Sequence, residues 1–158
     1  QPTSGFGPSA IPEAPARSTP EPAQNGGQPH YQLRLFSAME GRTRAEGFYE
    51  IRTPSRARQA NLAIADCLTL DEAEYQTLLQ ALSDLLDTLE VAGRDPREFR
   101  LEVSSSRELM LKQIQGLYGV KSERLIPLHQ KARQLVRRFA SVAWIQADKK
   151  SLKELTTV

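Results

Sequence analysis

The chain has 158 residues, 39% of them hydrophobic, enough for one ordinary core and about one domain. A formal net charge of +2 is too small for total charge alone to imply a polyanion partner, and the single cysteine, Cys67, excludes an intrachain disulfide framework or a multi-thiolate metal site. No apolar stretch reaches the roughly 18 residues of a membrane helix and no secretory signal opens the chain, so a cytoplasmic protein without a membrane partner is expected.

Residues 1–29 hold seven of the ten prolines and four of the nine glycines. A segment of this composition cannot bury enough apolar surface to offset its ordering entropy, so a flexible arm or linker is predicted before a folded unit at 30–158. A chain that begins at Gln1 rather than Met is expected to be trimmed or part of something longer.

From Tyr31 the pattern turns to strands. Tyr31, Leu33 and Leu35 alternate with Gln32 and Arg34, "GFYEIRT" follows from Gly47, and "ANLAIADCL" from Ala60, which predicts three short strands in series, antiparallel to one another. The period then becomes helical. Tyr75, Leu78, Leu79, Leu82, Leu85, Leu86 and Leu89 share one face, with Thr69 and Glu72 spaced as a capping box and Gly93 as the stop.

"FRLEV" from Phe99 reads as a fourth strand, followed by a helix over about residues 107–115, where Ser105 and Glu108 have capping-box spacing. A third helix opens near Pro127 and turns Leu128, Ala132, Leu135, Val136 and Phe139 inward. "SVAWIQA" from Ser141 is a fifth strand, and "DKKSLKELTTV" a polar tail. The order predicts an α/β fold: a mixed five-stranded sheet, three antiparallel strands and then parallel additions, with helices packed on its faces.

Charge is uneven along this order. Residues 107–158 carry eleven Lys and Arg against four acids. Lys112, Lys121, Arg124, Lys131, Arg133, Arg137 and Arg138 concentrate around the second and third helices, which makes them candidates for phosphate contacts. The alternative is the solvated polar face that every amphipathic helix has.

Several motifs between Leu68 and Val142 carry a resemblance: Ala73-Glu74-Tyr75, Leu109-Met110, Gln113-Ile114-Gln115-Gly116, Tyr118-Gly119-Val120-Lys121 and Leu125-Ile126-Pro127-Leu128. In this order they resemble type 1 ribonuclease H. The resemblance implies the ribonuclease H-like fold and a site in which four carboxylates hold two divalent cations that cut the RNA strand of an RNA/DNA hybrid. Glu74 matches one of the four. At the positions implied for the others stand Ser37 or Phe36, Ser106 and Thr156, and Arg107 adds a cation beside them.

With one carboxylate where the family has four, the expectation is a pseudoenzyme with no catalytic residue and no metal cofactor. Mg²⁺ or Mn²⁺ would return only if Glu40 or Asp148 rebuilt the site. Such a domain is expected to bind nucleic acid, RNA or an RNA/DNA hybrid, through its basic helical face. The alternatives are a protein-interaction or structural subunit, acting as a scaffold in a larger assembly, and an active metal-dependent ribonuclease with a rearranged site.

Overall fold

A computed structural model describes residues 29–157 of the chain. The predicted arm therefore lies, except for Pro29, outside the described residues. Five strands form one sheet in the order β3-β2-β1-β4-β5. They are β1 (Tyr31–Met39), β2 (Arg44–Arg52), β3 (Ala57–Ala65), β4 (Arg100–Ser105) and β5 (Ser141–Gln146). The first three are antiparallel neighbours, while β4 lies parallel to β1 and β5 parallel to β4. The mixed sheet is the predicted one, with β2 and β3 each starting three residues earlier than the apolar pattern suggests.

Helix α1 (Leu70–Val91) packs on one face of the sheet beside α3 (Leu125–Val136), and the short α2 (Glu108–Ile114) completes that layer. Alternation explains the interface. Tyr31, Leu33 and Leu35 of β1 and Leu101 and Val103 of β4 point to the helices, and all are at most 3% exposed. They meet Leu78, Leu82, Leu85 and Leu89 of α1, the predicted stripe.

The caps of α1 follow the sequence signals. Thr69 Oγ1 accepts from the Glu72 amide at 3.1 Å, and Glu72 reaches back to the Leu68 amide at 3.1 Å. At the other end Gly93 adopts φ 71°, its amide donates to the Glu90 carbonyl, and Arg94 donates to that of Leu89. That pair of bonds is the Schellman arrangement, which requires a left-handed residue at this point.

Two local expectations change. α3 starts at Leu125 rather than at Pro127, which sits third in the helix, still inside the turn where its missing N–H costs nothing. Ser105 does not cap α2. The N-cap is Arg107, without a side-chain cap bond, because the Ser105 hydroxyl is engaged elsewhere.

The tail is more than a polar extension. It forms α4 (Lys149–Leu152) and a 3₁₀ turn (Lys153–Thr156) on the opposite face of the sheet, where Leu152 and Leu155, each 1% exposed, cover Phe36 and Phe48. Arg34 fastens it by donating to the Glu154 carboxylate at 2.6 Å and to buried Glu50 at 3.2 Å.

Candidate functional site

Ser37 and Ser105 extend the inward alternation of β1 and β4 toward the carboxyl ends of these parallel strands, the end where open α/β sheets place their sites. Glu74 descends on them from the second turn of α1. The Ser37 hydroxyl donates to one Glu74 carboxylate oxygen at 2.6 Å, and the Ser105 hydroxyl donates to the other at 2.5 Å. Glu74 is 1% exposed, and the two serines are 7% and 0% exposed. Ser105 also accepts from the Arg107 amide at 3.0 Å, which turns its proton toward the carboxylate.

The hydroxyl that meets Glu74 is that of Ser105, one residue before the Ser106 that motif counting indicated. The strand's period of two places Ser105 on the face of Leu101 and Val103, and that signal could have found it. Thr156 is turned onto its own segment, donating to the Lys153 carbonyl at 2.8 Å.

Burial pushes the Glu74 carboxyl above its ordinary range. Hydrogen bonds from Ser105 and Ser37 and the charge of Arg107 oppose this, and Asp71 adds to it. The Arg107 guanidinium does not enter the site. It grips Asp71 with two bonds of 3.1 and 3.2 Å.

Two hydroxyls around one buried carboxylate do not match the set of anionic oxygens that a pair of hard divalent cations requires. Among the described residues no group of three or more His, Cys, Asp and Glu side chains is placed to hold a metal ion. Glu40 pairs with Glu46 at the surface, and that contact raises its pKa. Asp148 is exposed at the start of α4.

A raised folded-state pKa fixes the sign of a pH effect. The Glu74 contribution to stability is fully present below the carboxyl's ordinary value and is lost as pH rises through the raised one. Glu74→Gln keeps the shape without the charge. Its melting temperature should therefore gain on that of wild type as pH rises from the ordinary carboxyl value through the raised one. A difference that stays flat over that interval, measured by thermal denaturation, would contradict the assignment.

The seven basic candidates do not form one cluster. Arg124 is a structural clamp: it binds the Glu72 carboxylate at 2.9 and 2.7 Å and the Asp66 carbonyl at 2.5 Å, joining the start of α3 to the start of α1. Lys112 lies over the Tyr118 ring, 5.9 Å from its centre, and Lys121 is exposed in the loop before α3. Lys131, Arg137 and Arg138 are exposed on and just beyond the second half of α3, with Arg133 half-buried among them. None of these four makes an ion pair among the described residues.

Among the matched motifs, Tyr75, Gln113 and Gly119 form one hydrogen-bonded group. The Tyr75 hydroxyl donates to the Gln113 side chain at 2.8 Å, Gln113 donates to the Gly119 carbonyl at 3.3 Å, and a ring nitrogen of His129 lies 3.1 Å from the Gln113 carbonyl. Half-buried His129 is thus built into the helix layer rather than exposed on it.

The sequence matches no family model and no curated protein. Solved structures do match. The chain is similar to LC11-RNase H1, isolated from compost by a metagenomic approach, at 20% identity and a TM-score of 0.68, covering 81% of this chain and 93% of that one. RNase H1 from the halophilic archaeon Halobacterium salinarum NRC-1 matches at 19% identity and TM-score 0.67, over 78% and 89% of the two chains. LC11-RNase H1 in complex with an RNA/DNA hybrid matches at 20% identity and TM-score 0.65, over 77% and 87%. With five strands in this order and helices on both faces, the chain has the ribonuclease H-like fold.

Proposed function

We propose that this is a ribonuclease H-like domain that binds nucleic acid without cutting it. One contrast carries the reading. The retained carboxylate, Glu74, is closed inside the fold by two hydroxyls, while Lys131, Arg137 and Arg138, on and just beyond α3, are exposed and make no ion pair among the described residues.

Cleavage by two metals needs several carboxylates converging on hard cations, and Ser37 and Ser105 offer neutral oxygens instead. Binding needs only cations spaced along a surface. Lys131 to Arg138 spans about 10 Å of helix, enough to follow consecutive phosphates of a nucleic-acid strand. The ligand class favoured is an RNA/DNA hybrid or RNA, the hybrid being what one of the structural neighbours holds.

The test is fluorescence anisotropy with labelled hybrid, RNA and DNA duplexes, beside a cleavage assay in Mg²⁺ and Mn²⁺. Three or four neutralised phosphates predict that affinity falls about 40- to 150-fold between 50 and 200 mM salt. Lys131→Glu/Arg137→Glu/Arg138→Glu should abolish binding, with no cleavage by either protein. Turnover of the hybrid by wild type, lost in Glu74→Ala, would refute the non-cutting reading. Binding indifferent to salt and to the triple change would move the domain to the class of protein-interaction scaffolds.

A further inference from the structure

The sheet has two edges, and β3 is the longer, nine residues paired one to one with β2 from Arg44↔Ala65 to Arg52↔Ala57 without a bulge. An edge strand presents a row of unpaired N–H and C=O groups, and proteins guard such edges with proline, lysine, bulges or inward charge. β3 reads ARQANLAIA and has none of the first three. Its one charged side chain, Arg58, is folded back onto Asp84 of α1 by bonds of 2.8 and 2.9 Å, so it does not guard the outer side.

No described strand pairs with that outer side. The chain's own N-terminal segment is a poor candidate to fill it. Its longest proline-free run is the six residues 23–28, two of them glycine, too short and too poor in side chains to complete a nine-residue ladder. A second copy of β3 is the right length and chemically self-complementary. Antiparallel pairing about a two-fold axis at Asn61 sets Ala60 opposite Leu62 of the second copy, Gln59 opposite Ala63, Arg58 opposite Ile64 and Ala57 opposite Ala65. No like charges meet, and four alanines in nine residues leave the two backbones free to approach.

We propose that β3 is a self-association edge through which two copies join into one continuous sheet. Nine residues give a ribbon about 30 Å long. Its contact is smaller than the roughly 800 Å² per partner of a standard stable interface, so the dimer is weak and forms on raising concentration. This surface is separate from both Glu74 and the basic face of α3.

The experiment is sedimentation equilibrium of the full chain up to about 1 mM. The apparent mass should rise from 17.7 kDa toward twice that value. Gln59→Lys/Ala63→Lys places lysines opposite each other across the two-fold, while within each chain they face Glu50 and Glu46 in β2, so the fold is kept and the mass should stay at one chain. Register is read by oxidation: Asn61→Cys should form an intermolecular disulfide, and Ala57→Cys, far from its mate, should not. Native Cys67 is 0% exposed and stays out of the reaction. A one-chain mass for wild type at the highest concentration, a dimer that persists in the double-lysine variant, or equal cross-linking of the two cysteine variants would each overturn the proposal.

Discussion

Ser37→Asp/Ser105→Asp should create a divalent-cation site, and wild type should show no response to Mg²⁺ or Mn²⁺. The two hydroxyl oxygens lie 2.6 and 2.5 Å from the two oxygens of Glu74, so carboxylates introduced there converge on it. Without a cation, three carboxylates in a buried site repel one another and lose hydration. In EDTA the double variant should be less stable than wild type by about 3–5 kcal/mol, the usual cost of an uncompensated buried charge. A cation reverses the sign by replacing repulsion with coordination. Binding only to the folded state stabilises by about 2.7 kcal/mol when the free ion reaches 100 times its dissociation constant. Thermal melts in EDTA and in millimolar Mn²⁺ should therefore separate for the double variant and coincide for wild type. An equal Mn²⁺ shift in wild type would show that the present residues already hold the ion. A double variant that folds and ignores Mn²⁺ would show that the strands and helix no longer frame a cation site.

What was legible in the sequence depended on range. Features with a local period, such as the α1 stripe, the Thr69 and Gly93 caps and the strand alternation, were readable because a few neighbouring residues determine them. The site was readable only in part. Ser37 and Ser105 meet Glu74, and the pleat, which sets Ser105 rather than Ser106 on the inward face, is the signal that could have paired them. Pairings between distant segments had no local signal. Arg107 with Asp71, Arg124 with Glu72 and Arg34 with Glu154 are separated by 36, 52 and 120 residues, and each changes what a basic residue is available to do. The tail misled for a related reason. Its two leucines, Leu152 and Leu155, are too few to dominate a polar segment of eleven residues, yet they suffice to cover Phe36 and Phe48.

Gly47 illustrates the same limit and yields the largest expected loss of stability from one methyl group. It pairs with Ser37 across the first two strands and lies under the α1 turn that carries Glu74. A Cβ there would stand 2.1 Å from Thr77 Oγ1 and 2.9 Å from a methyl of Leu62. The backbone at Gly47 is not left-handed, so the demand is for space alone. Thr77 cannot simply turn away, because its hydroxyl donates to the Ala73 carbonyl at 2.8 Å and it is 0% exposed. Gly47→Ala must push α1 off the sheet, at about 1–3 kcal/mol for an overpacked core. In a domain of this size that lowers the melting temperature by roughly 5–10 °C. Thr77→Ala removes the colliding oxygen. The double variant Gly47→Ala/Thr77→Ala should be more stable than the sum of the single changes predicts, by about 1 kcal/mol. Strict additivity in denaturant titrations would show that the two residues do not compete for this space.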